Sequence, residues 1–427
     1  MVKMKKSSKV LKQYIDEHLA SESEFIPGKS YVKLIEPSFD SDEIIEAIDS
    51  LTSTNVTMGK KVKKFEDLFT KYLDSKYSSM VNSGSSANLV ALSALTHPEF
   101  QKKVKKNTEV ITPAVTWATT VFPIFNVGLK PKFVDINLDD FCIDVNSAEN
   151  AVNNKTSMML PVHLLGNVCD MKHVNEVASK KNLLVMEDCC EAHGAEFKNK
   201  KVGTIGDIGT FSFFLSHHIT TIEGGMVTTK NKMLHELSKS LRAFGWIRDL
   251  ESKNKIIKKY SKIDPRFLFT RIGYNLRPTE IQGSFGIHQI KKLDKFIKKR
   301  ENNAKYWSKK FSQYEDYFII QKQNKNTKPV NFSYPLTIRK DAPFSRESLV
   351  KFLEKNKIET RPIMAGNFIE QPVIKYIQHT KQGSLPNSKL VMKNSFFFGN
   401  HHKITPQMRE FVVAKISEYI DGKLWKK

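Results

Sequence analysis

Residues 183–194 read Leu-Leu-Val-Met-Glu-Asp-Cys-Cys-Glu-Ala-His-Gly. The apolar run Leu183 to Met186 has the length of a buried strand, and it ends on two carboxylates, Glu187 and Asp188. Working outward, Met171–Lys180 has a helical pattern and Ser157–Pro161 is another short apolar run. The alternation continues from Asn82 to about residue 240. It places strands at Glu109–Thr112, Pro131–Asp135, Thr210–Phe214 and Met226–Thr229, and a helix at Ala87–Leu95. Strands separated by helical crossovers predict an α/β fold with a mainly parallel sheet.

On either side the pattern changes. Residues 1–35 are polar and basic and read as an N-terminal extension with one short helix. A large domain is expected over 36–295 and a small C-terminal domain over 296–427. Asp40–Leu51 and Val62–Tyr72 look like amphipathic helices. Residues 250–265 are Lys-rich and read as a surface loop. Arg277–Leu293 and Asp294–Tyr314 read as two long helices.

The 427 residues, 40% hydrophobic and 26% charged, suit a large soluble globular chain. No apolar run reaches the length of a membrane span. The Lys-rich start, Met1 to Lys12, has no apolar core, so no secretory signal and a cytoplasmic location are expected. The four cysteines, Cys142, Cys169, Cys189 and Cys190, lack paired spacing and predict neither a zinc nor a disulfide framework. The net charge of +23 comes mostly from lysines in short runs such as Lys102-Lys103. With no nucleic-acid motif beside them, they read as solvated helix faces whose general field attracts an anionic substrate.

Several residues could line a cofactor pocket. Ser83-Gly84-Ser85-Ser86 precedes an apolar helical run, where backbone amides and the helix dipole can hold a phosphate. A simple capping turn explains the same residues equally well. Asp188 at a strand's C-terminal end can pair with a pyridinium nitrogen, and Glu191 follows three residues later. A lone Asp there would read as a cap or a surface acid. Trp117, in Pro113-Ala114-Val115-Thr116-Trp117, can stack on a flat ring or serve as core. Ser212 precedes His217 by five residues, in Ser-Phe-Phe-Leu-Ser-His-His.

Together these motifs resemble the DegT-type sugar aminotransferases, which use pyridoxal phosphate (PLP). The shared order is Ser-Gly-Ser, Pro-x-x-Thr-Trp, Glu-Asp-x-x-[Glu/Gln]-Ala-His-Gly and Gly-Asp-Ile-Gly-x-Phe-Ser-Phe, and the resemblance covers nearly all of the chain after about residue 35. It implies fold type I, the aspartate aminotransferase-like arrangement. That is a large domain with a mainly parallel seven-stranded sheet plus a small α/β domain. It implies a homodimer with shared active sites. Gly84, Ser85 and Ser212 would meet the cofactor phosphate, Trp117 its ring, Asp188 the ring nitrogen and Glu191 the ring hydroxyl. Asn275, in Gly273-Tyr274-Asn275-Leu276-Arg277-Pro278, would reach the partner's phosphate.

The family carries a lysine where this chain has His217. A lysine amine forms a Schiff base with PLP; an imidazole cannot, but it moves protons near neutral pH. The resemblance is to a lysine-to-histidine subgroup and implies a lyase. Pyridoxamine phosphate (PMP) would condense with the ketone of a 4-keto-6-deoxy nucleotide sugar, His217 would remove a proton, and the hydroxyl at sugar carbon 3 would leave. Glutamate would restore PMP. Leu241–Leu250, Thr360–Ile363, Gly366–Phe368 and Gly399–His401 point to GDP-4-keto-6-deoxy-D-mannose as substrate, in dideoxysugar synthesis for surface polysaccharide. Phe25–Lys29 is instead similar to an iron–sulfur subgroup acting on CDP sugars, so CDP- and dTDP-linked substrates stay open. No cysteine follows the Leu241–Leu250 segment, and Cys190 alone cannot hold a cluster that needs four ligands, so no cluster is expected. Arg248 and Arg361 are candidates for the nucleotide diphosphate, although each equally suits a surface ion pair. His218 is a weaker candidate at the substrate. No ligand spacing around His163, His193 or His401 supports a metal. The rivals are a 4-aminotransferase and a non-catalytic protein of the same fold. Decay to the latter would erode Asp188, Ser85, Trp117 and Asn275, and all four are present.

Overall fold

The computed structural model describes residues 6–19, 24–102 and 104–424. Its main sheet has eight strands: β1 Tyr77–Val81, β2 Glu109–Pro113, β3 Lys130–Val134, β4 Thr156–Met159, β5 Leu184–Asp188, β6 Ile208–Ser212, β7 Gly225–Thr229 and β11 Thr380–Lys381. The spatial order is β1-β7-β6-β5-β4-β2-β3-β11. Seven strands come from residues 77–229, and the two-residue eighth extends the far edge from the C-terminal region. β7 is antiparallel to both β1 and β6, and the remaining pairs are parallel. A second sheet, ordered β8-β9-β12-β10, contains β8 Phe318–Ile320, β9 Ser333–Ile338, β10 Thr360–Pro362 and β12 Ser395–Gly399.

The large sheet is covered on both faces, so its strands read as continuous apolar runs rather than alternating ones. Alternate residues still part to opposite sides. Val185, Phe211 and Phe213 join a core with Phe65, Phe69 and Ile287. Leu184, Met186 and Ile208 join another with Val90, Leu92 and Val227.

Helices α1 Lys6–Leu19, α2 Ser41–Thr52, α3 Lys60–Leu73 and α4 Gly84–Thr96 precede β2, with β1 lying between α3 and α4. Asp40 and Glu43 form a capping box that starts α2. α4 begins at Ser83, whose hydroxyl accepts from the Ser86 amide. After β7, the expected loop over 250–265 contains a short helix, Lys253–Lys259. Its Ile256 and Ile257 pack on a satellite core that includes Leu268, which a scan for a polar surface loop overlooks. The two long helices expected from Arg277 to Tyr314 are one, α5 Glu280–Phe311, started by a Thr279–Gln282 capping box. It lies against α2 and α3 and continues to Trp307 in the core of the second sheet.

Phe69 is fully buried, with Phe65, Phe211 and Phe213 ring centres 5.1–5.9 Å away. Phe69→Ala removes the common member of this cluster. It is expected to cost about 3–5 kcal/mol in denaturant unfolding, whereas a loss under about 1 kcal/mol would show that the cluster repacks.

Candidate active site

The strand ends on one edge of the large sheet, the start of α4 and the second sheet enclose a cavity of about 740 Å³. Its floor includes Ser83, Gly84, Ser85, Asp188, Cys190, Glu191, Ser212 and His217. Trp117, Glu223, Phe332, Glu359 and Arg361 also line it. Of the residues expected at the cofactor, only Asn275 lies outside this cavity.

At the phosphate end, β6, β7 and the first turn of α4 touch. A methyl group on Gly84 would lie 2.4 Å from Cβ of Ser212, and one on Gly225 would lie 2.2 Å from the Ser83 carbonyl oxygen. Neither position has room for a side chain, so backbone amides face the cavity at a helix N-terminus. An anion fits this cradle.

Asp188 ends β5 and is 4% exposed. Its Oδ2 accepts from Asn88 Nδ2 at 3.1 Å and Thr120 Oγ1 at 2.8 Å, and Oδ1 accepts from the Cys190 amide at 3.2 Å. Thr210 Oγ1 donates to Asn88 Oδ1 at 2.6 Å and so fixes which way that amide points. A carboxylate held this firmly at a cavity wall suits a cationic ring nitrogen. Asn88, Thr120 and Thr210 were not anticipated, because they lie 100, 68 and 22 residues from Asp188 and carry no local motif.

Glu191 accepts from the Leu165 amide at 2.7 Å, and burial pushes its carboxyl up to about 8. It is therefore largely a neutral acid at pH 7, able to donate one hydrogen bond into the cavity. Trp117 caps the start of a helix at Ala118–Asn126 and remains 54% exposed, so its ring is free to cover a ligand.

His217 sits in the turn after β6. Burial first, then the charge of Arg300, pushes it down to about 3. Its Nδ1 is buried without a hydrogen-bond partner. Neutral at physiological pH, it can accept a proton. His218 turns away: it is fully buried, with Nε2 3.1 Å from the Val330 carbonyl oxygen. No lysine lines the cavity among the described residues.

The remaining candidates separate. Arg361 on β10 lines the cavity, with Nη1 donating to the Thr360 carbonyl at 2.8 Å. Arg248 lies over the Trp246 ring at 4.2 Å and borders a different groove with Lys60, Lys63 and Lys239. Asn275 accepts from Arg277 Nε at 3.1 Å. Leu34 and Ile35, from the N-terminal stretch, also line the cavity. The Leu34 amide donates to Glu359 at 2.9 Å, and Val32 bridges to Ile358, which ties that stretch to the second sheet. Nothing in its sequence signals this role.

His163, Glu187 and Cys189 place ligand atoms within 4.8 Å of one another below the cavity. Glu187 already accepts from the Gly203, Ile205 and Gly206 amides and lies 3.2 Å from His163 Nε2, so hydrogen bonds account for the cluster. These bonds brace the strand that presents Asp188.

A model of the DegT/DnrJ/EryC1/StrS aminotransferase family matches residues 37–417. The chain belongs to this family. It is 41% identical over 362 residues to the GDP-4-keto-6-deoxy-D-mannose 3-dehydratase of Escherichia coli O55:H7, covering 83% of this chain and 92% of that one. The structure of an E. coli GDP-4-keto-6-deoxy-D-mannose 3-dehydratase with bound hydrated PLP superposes with a TM-score of 0.85 at 37% identity, over 90% of this chain and 99% of that one. A GDP-4-keto-6-deoxymannose 3-dehydratase with a trapped PLP–glutamate geminal diamine gives 0.83 at 38% identity, over 88% and 99%. The aminotransferase-like fold follows from both findings.

The raised Glu191 carboxyl has a thermodynamic consequence. The folded chain holds a proton there between about pH 5 and 8, where the unfolded chain has lost it, so this group subtracts stability as pH rises through that window. Glu191→Gln removes the effect. In denaturant titrations of cofactor-free protein, the stability of the variant relative to wild type should climb from pH 5 to 8. A flat difference would place an ionised carboxylate in the cavity.

Proposed function

We propose that this chain is a PLP/PMP-dependent 3-dehydratase of a nucleotide-linked 4-keto-6-deoxyhexose, with GDP-4-keto-6-deoxy-D-mannose as substrate and glutamate as amino donor. The observation that carries this reading is a cavity lined by His217 and, among the described residues, by no lysine whose amine could hold an aldehyde covalently.

The residues fit the cofactor part by part. Ser83, Gly84, Ser85 and Ser212 would hold its phosphate, Asp188 its ring nitrogen and Glu191 its ring oxygen. Trp117 would cover the ring and exclude water. When bound, PMP supplies an amine that condenses with the ketone at sugar carbon 4 and a ring that accepts electron density. His217, kept neutral by burial, accepts a proton at a ring nitrogen from the carbon bearing that amine. The imidazolium then gives the proton to the oxygen leaving sugar carbon 3, so water departs and His217 returns to its starting state. Asp188, fixed by Asn88 and Thr120, would hold and orient the ring nitrogen. Arg361, at the cavity wall, offers the diphosphate a guanidinium.

The reading includes a homodimer with shared sites. Asn275 and Arg248 lie outside their own cavity, which suits residues that serve the partner's cofactor and substrate. Residues 36–295 would carry the cofactor, 296–427 would close over the sugar, and residues 1–35 would form an extension whose Leu34 and Ile35 reach the cavity.

The test is mass spectrometry of purified protein incubated with PLP, glutamate and the GDP sugar. A 3-deoxy ketosugar with released ammonia is expected, and a stable amino sugar would overturn the reading. Turnover of a CDP- or dTDP-linked sugar alone would overturn only the choice of nucleotide. His217→Lys and His217→Asn should lower 3-deoxy product formation by about 10²–10⁴-fold. Retained dehydration in either variant would remove His217 from the role of base.

A further inference from the structure

Arg300, on α5, is 4% exposed. Its Nη1 donates to the Phe332 carbonyl at 2.6 Å and to the Asn400 carbonyl, while its Nε has no acceptor. Among the described residues no carboxylate pairs with it, and burial alone pushes it down to about 9, which leaves it charged at neutral pH. An unpaired buried cation is costly, because neutral carbonyls do not cancel its charge.

Its surroundings are histidines. The guanidinium carbon lies 6.0 Å from the centre of the Phe332 ring. The same ring neighbours His217 at 5.5 Å and His218 at 5.9 Å. His193 completes the group, 5.9 Å from His217 and 5.7 Å from His218, buried with neither ring nitrogen hydrogen-bonded. The other titratable groups around the cavity are Asp188, Cys190 and Glu191 from the turn after β5, Glu223 before β7, and Glu359 and Arg361 from the second sheet.

We propose that Arg300 is a positioning residue for proton transfer at His217, a buried unpaired cation that shares the Phe332 ring with the imidazole cluster and disfavours the imidazolium. Burial lowers each of these histidines first, and the guanidinium adds to it in every case. Burial already makes His217 the free base at neutral pH; the guanidinium makes the imidazolium, once formed, give its proton up more readily. That effect on the reaction rests on the dehydratase reading above; the titration midpoint of the free protein does not.

The two charges share the Phe332 ring and so lie within about 12 Å of each other. At an effective dielectric of about 20, that separation moves a titration by about one pH unit. The experiment is NMR titration of cofactor-free, selectively ¹³C-histidine-labelled protein, with the His217 signal assigned by its loss in His217→Asn. Arg300→Gln keeps two donors for the carbonyls but removes the charge, and Arg300→Lys keeps the charge. The His217 midpoint should rise by about one pH unit in the Gln variant and stay near wild type in the Lys variant. An unchanged midpoint in folded Arg300→Gln, or an equal rise in Arg300→Lys, would reduce Arg300 to a structural tie. If the Gln variant does not fold, Asn303→Asp provides a second route. Asn303 donates to Asn400 and to the His401 carbonyl beside Arg300, so a carboxylate there should cancel the field and raise the midpoint. No rise would overturn the proposal. A shifted midpoint in a protein that never dehydrates the sugar would support Arg300's effect while sinking the dehydratase reading.

Discussion

The rest of the site depends on one buried carboxylate. Asp188 is almost sealed from water, and a buried carboxyl is tolerated only where hydrogen-bond donors meet its oxygens. Its donors come from three directions: Asn88 on α4, Thr120 on the helix after Trp117, and the amide of the turn that follows. These bonds therefore do more than orient one side chain. They tie the helix that begins at Ser83 to the segment that carries Trp117.

The cradle follows from a steric constraint of the opposite kind. Ser83, Ser212 and the glycines at 84 and 225 pack so closely that no Cβ fits. The helix start is thereby exposed at a fixed height above the sheet. The cradle and Asp188 thus stand as two fixed points in one cavity, and under the proposed reading they would set the orientation of a flat ligand between them. The turn after β6 then decides what can reach its reactive carbon.

Much of this was legible in the chain itself. β2 to β7 fall within a residue or two of the short strand-like runs read from the sequence, because most of their residues are buried and so mostly small or apolar. Tyr77–Val81 escaped notice: Ser78 and Ser79 break its apolar run, although four of its five residues are buried. Thr380–Lys381 is too short and polar to signal a strand. The long helix after Thr279 was divided because its lysine-rich middle obscures the apolar face that packs on α2 and α3. At the site, Gly84, Ser85, Trp117, Asp188, Glu191, Ser212 and His217 are brought together because each ends or follows an element of the same sheet. Asn88, Thr120, Thr210 and Arg300 were invisible for a common reason. They act through partners distant in sequence, and their residue types are unremarkable where they stand.

The histidine cluster shows why replacing one residue is not enough to change the chemistry. An imidazole in the lysine position works as a base only if it is uncharged, and solvent alone would leave it partly protonated near its ordinary value. Here Phe332 and His193 pack beside His217, and the buried charge that acts on it is positive rather than negative. A carboxylate in the place of Arg300 would stabilise the imidazolium and hold the proton where it cannot be passed on. The sign of that one buried charge bears on any proton held at His217, although Arg300 stands 83 residues further along the chain.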